Sequence, residues 1–282
     1  MGFVAIYANA VVLVFGAILG SFLNVVIVRW PKEESIVRPR SACPRCGRLI
    51  AWYDNIPILS FLLLRARCRH CGQPISWRYP LVEGLTAVLS LLVFHRFVGD
   101  VTHMKPGEVG AYLLYFGFVA GLVAITFIDL EHYLIPDVIT LTSIPVGILG
   151  VWAVQDVPGV PTGVRGSVIG ALVGGGSLYL LRLVYQLIRK HEGMGLGDVK
   201  MLAMIGTFLG PHPALVFVIF VSSFLGSVVG IVMMVLRGKG LKFALPFGPF
   251  LAVGAIVYLL WGYRLAAMFV PVAPVVRSIS IQ

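Results

Sequence analysis

Charge is scarce in this chain. Only 12% of its 282 residues are Asp, Glu, Lys or Arg, and just 12 are acidic, about half the share an ordinary soluble domain carries. Such a poverty of charge excludes a disordered chain and a conventional water-soluble domain. Cysteine is scarce too: four residues, all between positions 43 and 71, which leaves no framework of disulfides spread along a secreted chain. No small-residue cleavage site closes the first apolar run, Phe3–Val28, so it reads as a retained span and not as a secretory signal. Low-complexity tracts, internal repeats and a glycine-rich methyl-donor fingerprint are not evident.

What is abundant is hydrophobicity: 59% apolar residues and a mean hydropathy of +0.95. Repeated runs of about 20 apolar residues mark a polytopic membrane protein. Eight segments are expected as helices, because a spanning helix satisfies its own backbone hydrogen bonds. They are Phe3–Val28, Leu81–Val98, Gly110–Leu130, Leu134–Val154, Gly166–Ile188, Val199–Gly210, Pro213–Leu236 and Leu245–Val270. The reading is therefore an all-α polytopic membrane protein of about eight transmembrane helices with a small cytoplasmic zinc-binding insert. Its parts are a first helix (1–29), a four-cysteine loop (30–80), a membrane core (81–270) and a C-terminal tail (271–282). The net charge of +10 is read as orientation and contact with anionic lipid, with no nucleic-acid partner. Ten Lys/Arg lie between Arg29 and Arg78, which places that loop in the cytosol and both termini outside. The sixth segment is short for a span, and Pro211 and Pro213 are expected to end it inside the protein, with Asp198 in a recess.

The cysteines fall in two pairs, "CPRC" (Cys43, Cys46) and "CRHC" (Cys68, Cys71). Two C-x-x-C pairs at this spacing in a reducing compartment predict a four-thiolate structural Zn2+ site with no open position for catalysis. His70 is expected to be solvated. The apolar stretch "WYDNIPILS", Trp52–Ser60, either packs on the metal module or dips into the lipid headgroups.

Two aspartates stand out, since ionisable residues in spans are functional candidates. Asp129 closes the third segment in "TFIDLEHYLIPD" and Asp198 opens the sixth in "GLGDVK". Alternating span direction puts both at the cytosolic face. Two converging carboxylates share a proton and so supply base and acid for peptide hydrolysis. Either aspartate alone is equally explained as solvated or as a helix cap. Gly195 and Gly197 are read as letting a substrate backbone approach, with Lys200 snorkelling or holding a charge partner. Asp137 is expected to be structural, Asn24 an interhelical hydrogen bond, and Glu131, His132, His191 and Glu192 solvated. Glu83 is either solvated or a buried partner of a basic residue. The glycine-rich face Gly170–Gly176 is expected to receive an apolar substrate helix, so that leucine at Gly174 and Gly175 raises KM.

Four long stretches in order, "GSFLNVVIVR", "CPRCG…IAWYDNIPILS…CRHCG…ISWRYPLVE", "FIDLEHYLIPD" and "GMGLGDVK", resemble the bacterial type IV prepilin peptidases, membrane aspartic proteases of the GxGD kind. The likeness runs along nearly the whole chain. It implies that Asp129 and Asp198 are the catalytic pair. It also implies prepilin or pseudopilin substrates with a short basic leader, cut at the cytoplasmic face of the inner membrane. Members with the cysteine loop commonly also methylate the new N-terminus with S-adenosylmethionine; the resemblance alone implies this here. Rival readings are another GxGD intramembrane protease, a cation-coupled transporter using the two aspartates, and a zinc-holding scaffold. The sequence is silent on oligomeric state.

Overall fold

A computed structural model describes residues 2–190, 195–237 and 245–269. Among these, helices α1 (Gly2–Arg29), α3 (Arg78–Phe97), α4 (Pro106–His132), α5 (Asp137–Val154), α6 (Val164–Arg189), α7 (Leu196–Leu209), α8 (Ala214–Arg237) and α9 (Gly248–Phe269) form the bundle. A five-residue helix, α2 (Leu59–Leu63), lies in the cysteine module between α1 and α3. Six of the eight bundle helices are long and apolar enough to cross a membrane, as apolar periodless runs demand. The alternation is all-α, and the described residues contain no β-strand, only the isolated bridges Ala42–Leu49 and Arg67–Pro74.

α4 and α7 form the centre. Tyr115, Leu122, Ile125 and Ile128 of α4, and Met201, Leu202 and Ile205 of α7, are fully buried. The outer helices turn leucines and aromatics outward, among them Leu180 and Leu187 of α6 and Phe220 and Val235 of α8. At 14 residues, α7 rises about 21 Å, well short of a hydrocarbon core of about 30 Å. It stops at Gly210, whose φ of 83° breaks the helix, and Pro211 and Pro213 only follow that break. Its last carbonyls therefore end inside protein and need partners. Ser167 of α6 donates to the Thr207 carbonyl at 2.7 Å, and Tyr115 of α4 donates to that of Phe208 at 3.1 Å.

Close packing rests on glycine. Gly16 and Gly20 of α1 lie against Ala87, Ser90 and Glu83 of α3, where a Cβ at either position would meet α3 atoms at 2.6–2.7 Å. Gly170 and Gly174 of α6 lie directly on the backbone of Gly206 and Leu202 in α7. This corrects the expectation that the Gly170–Gly176 face awaits a substrate helix. With no hydrophobic force between helices in lipid, close backbone approach drives association, and α7 already occupies Gly170 and Gly174. Only Gly176 faces open space.

A second correction concerns repeats. Ser41–Trp52 and Ala66–Trp77 fold alike. In each, the first cysteine's N–H bonds the carbonyl five residues on, a glycine with φ near 70° (Gly47, Gly72) donates back to that cysteine, and an isoleucine N–H (Ile50, Ile75) closes the loop at 2.7–2.8 Å. The shared ten-residue pattern "C-x-x-C-G-x-x-I-x-W", whose copies start at Cys43 and Cys68, is short and interrupted, so it hides beside the longer apolar signal.

Candidate active site and cysteine cluster

One end of the bundle gathers the end of α1, the cysteine module, the starts of α3, α5, α7 and α9, and the end of α4. Arg78 at the start of α3 forks onto Glu131 of α4 at 2.6 and 2.7 Å. Lys200 of α7 binds both carboxylate oxygens of Asp137 on α5 at 2.7 Å. Lys200 therefore has a charge partner and does not snorkel freely, and it pins the start of α7 to the start of α5. Glu131, expected to be solvated, is exposed and also pairs with Arg78 at the end of an extended α4. His191 and Glu192 lie outside the described residues, as does Gly193 of "GMGLGD".

Asp129 sits in the last turn of α4, 5% exposed. Its Oδ2 accepts the N–H of Gly248 at 3.0 Å. Gly248 opens α9, and the first amides of a helix have no intrahelical acceptor. Asp198 occupies the third position of α7, half-buried, while Gly195 caps that helix. Neither aspartate is a solvated cap. Ile135 faces both Gly197, next to Asp198, and Gly248, which holds Asp129. A Cβ on Gly197 would strike Ile135 at 2.9 Å, and one on Gly248 would meet Asp129 Oδ2 at 2.6 Å and Ile135 Cδ1 at 3.4 Å. The space beside Gly197 is thus taken by Ile135. Gly197 is therefore required for the close approach of Ile135.

Gly248 and Ile135 are the residues that sequence reasoning missed. The available signal was Gly248–Pro249 after Pro246, a helix start near the membrane edge. Gly248→Ala tests the contact. A methyl 2.6 Å from Oδ2 forces the carboxylate or α9 to move, and a displacement near 1 Å lowers turnover by about 100-fold. Steady-state kinetics on a peptide substrate should show kcat falling with KM little changed; wild-type kcat would show that the Gly248 amide does not hold Asp129.

The four cysteines converge. Their Sγ atoms all lie within 4.8 Å of one another, with Cys43 and Cys71 3.9 Å apart. Thiolates about 2.3 Å from a tetrahedral Zn2+ stand about 3.8 Å from each other, so the donor set fits. No disulfide joins them. Backbone N–H groups of Cys71 and His70 lower the Cys68 thiol to about 7, while Cys71, despite the Gln73 N–H, is pushed up to about 11 by burial and its neighbouring thiols, so metal binding must release protons from the set. The cluster comprises the four cysteines, and the His70 Nδ1 lies 3.4 Å from Arg48. The Trp52–Ser60 stretch is tied to this module through Asp54, while Trp52, Tyr53, Ile56 and Leu59 stay exposed. Asp54 takes a fork from Arg69 of the second cysteine loop at 2.6 and 2.8 Å, which holds its carboxyl below the usual range.

Other polar groups resolve as follows. Asn24 of α1 donates to the Tyr79 carbonyl of α3 at 3.1 Å, the interhelical bond expected of it. Glu83, 8% exposed, accepts the N–H of Ile58 at 2.8 Å. Its partner is a backbone amide, not a basic side chain.

Residues 14–97 match the bacterial peptidase A24 N-terminal domain, and residues 116–231 match the type IV leader peptidase family. A prepilin leader peptidase/N-methyltransferase of Myxococcus xanthus is 43% identical over 80% of this chain and 63% of its own length. Enzymes of the same name from Aeromonas hydrophila and Pseudomonas aeruginosa are 39% and 34% identical, over 90% and 93% of each chain. The chain thus spans under two thirds of the Myxococcus relative and nearly all of the other two. No solved structure matches the chain.

Proposed function

Because the chain belongs to the type IV leader peptidase family, we propose that it is an aspartyl endopeptidase that removes the leader peptide from prepilins or pseudopilins, with Asp129 and Asp198 as the catalytic pair. The observation that supports this most is the meeting of the two motifs. Residues 69 positions apart are carried to one end of the bundle, where Ile135 packs against both Gly197, next to Asp198, and Gly248, which donates to Asp129. The work divides between them through one proton. The ionised carboxylate takes a proton from water as the water oxygen attacks the scissile carbonyl carbon. The protonated carboxyl gives its proton to the carbonyl oxygen. Collapse of the tetrahedral species breaks the C–N bond, and the departing nitrogen takes a proton back from the pair. Gly248 orients Asp129, while the Lys200–Asp137 pair and Ile135 position Asp198.

The end that bears the cysteine module and both aspartates is assigned to the cytosol, because the basic residues concentrate there. The membrane is the bacterial inner membrane. The cysteine cluster takes one structural Zn2+, which folds a module too small to hold a core of its own. The relatives' names include methyl transfer, and the same activity is proposed here, with S-adenosylmethionine supplying the methyl group. A cation-coupled transporter is disfavoured, since such carboxylates sit near the membrane midplane on broken helices, and Asp129 ends an unbroken α4. The direct test incubates the purified protein with a prepilin in detergent. A product shortened by the leader is expected; an intact prepilin under conditions where a curated relative cuts it overturns the reading.

Metal analysis of the purified protein should return about one zinc per chain. Cys43→Ser combined with Cys68→Ser should abolish it and unfold the module, seen as new protease cleavage between residues 30 and 77. Two disulfides in a metal-free wild-type protein would contradict the zinc assignment.

A further inference from the structure

We propose that α2 and the turn leading into it anchor the cysteine module to the membrane, with Leu59, Leu62 and Leu63 seated at the headgroup–acyl boundary of the leaflet on that side. The occupant of this face is lipid, and the sidedness is the one proposed above.

The five residues of α2, LSFLL, carry no charge and divide between two sides. Ser60 and Phe61 are buried, whereas Leu59 is exposed and Leu62 and Leu63 are 62% and 73% exposed. The buried side is fixed to the module. Ser60 Oγ accepts the Ile56 N–H and donates to the Tyr53 carbonyl, both at 3.0 Å. Phe61 packs edge-on to Trp77, with ring centroids 4.8 Å apart. Bare apolar clusters of this kind mark contacts with protein or membrane.

Depth selects the membrane. The Ile58 N–H donates to Glu83 Oε2 at 2.8 Å, and Ile58 Cδ1 lies 3.9 Å from where a Cβ on Gly84 would stand. Glu83 and Gly84 are the sixth and seventh residues of α3, about 7–9 Å inside its start. On the other side, Glu83 meets Gly20 of α1, whose absent Cβ would fall 2.7 Å from the Glu83 Cα. Gly20 is eight positions before Val28, the last apolar residue of α1, a rise of about 12 Å. Ile58 therefore stands at a level where α1 and α3 have already entered the apolar layer, and α2 begins at the next residue. Through the Phe61–Trp77 contact, α2 continues the outward stripe of α3, where Trp77, Leu81 and Leu85 are exposed. Arg65 and Arg67 follow α2 and are also exposed. Basic side chains beside an apolar face suit the anionic headgroups of a cytosolic leaflet. Lipid surrounds spans at this depth by default, whereas a prepilin or a second copy of this chain would have to displace it.

The test uses the full-length protein in nanodiscs that contain phosphatidylglycerol. Leu63→Trp adds a reporter, read as the fluorescence difference from the wild type, which carries five tryptophans. Lipid brominated high on its acyl chains should quench the added signal, and acrylamide in the water should not. Quenching by acrylamide alone overturns the anchor. So does protection that appears only on adding prepilin, which assigns the face to the substrate, or only with two chains per disc, which assigns it to a second copy. Leu62→Glu with Leu63→Glu puts charge where lipid lies. In nanodiscs this variant should raise tryptic cleavage after Arg65 at least about tenfold, since cleavage follows the population of the lifted form. Cleavage equal to that of the wild type overturns the anchor. If the charged variant loses the cooperative melt of the wild type, the tryptophan reporter decides alone, because a tryptophan is at home at the membrane interface.

Discussion

Asp129→Asn and Asp198→Asn each reduce prepilin cleavage by at least about 10²–10⁴-fold, the contribution of a positioned acid or base, while leaving the protein folded in the membrane. Asparagine keeps the shape of the carboxylate and its capacity to accept the Gly248 N–H, so α4 and α9 stay in register. What is lost is the proton. With one member an amide, the pair can no longer hold base and acid forms together, and neither role passes to Lys200 or Glu131, which are engaged with Asp137 and Arg78. The loss should be similar for the two substitutions and nearly the same for the double variant, since residues that act as a unit are not additive. A single variant that cuts at the wild-type rate refutes the shared-proton mechanism.

Gly206→Leu should be the most damaging substitution away from the aspartates. Gly206 and Gly170 approach each other backbone to backbone, and a side chain on either would collide with the carbonyl of the other. Overpacking normally costs about 1–3 kcal/mol, and more where main chain must yield. Here the yielding element is α7, which carries Asp198. Stability and turnover should therefore fall together, read from a melting curve and from kcat on the same sample. Gly176→Leu is the control. Nothing lies within 4 Å of its missing Cβ, so it should melt like the wild type. If Gly206→Leu also melts like the wild type, the α6–α7 contact is not as close as described. Should Gly176→Leu alone raise KM, the substrate helix meets α6 at that exposed strip and not along its glycine stripe.

Much of this was legible beforehand. Apolar runs of spanning length are a strong signal because lipid forbids any other way to satisfy a backbone. The eight helices accordingly appear where the runs are, with shifts of a few residues such as Arg78 for Leu81 and Pro106 for Gly110. The cysteine pairs were legible because metal ligation fixes residue type and spacing together. Less legible were the pairings across the bundle end. Arg78–Glu131, Lys200–Asp137 and Gly248–Asp129 join residues 53, 63 and 119 positions apart. Each looked like an isolated polar residue at a span end, where solvation is always an adequate account. The glycines misled for a related reason: a stripe of small residues says that something packs closely, not whether the partner is a substrate or the next helix of the same chain.

The sequence by itself determined that the chain lives in a membrane as a helical bundle, that four cysteines form one cluster, and that two acidic motifs flank apolar runs. These follow from local rules of hydrophobic length and ligand spacing that hold wherever the segment lies. Only the tertiary structure decided that α6 lies on α7, that Gly248 grips Asp129, that Ile135 fills the space beside Gly197, and that Glu83 of α3 receives the Ile58 amide of the cysteine module. Those depend on which helices become neighbours, and in lipid that choice is made by shape and backbone approach, which leave almost no periodic trace in a chain apolar on every face.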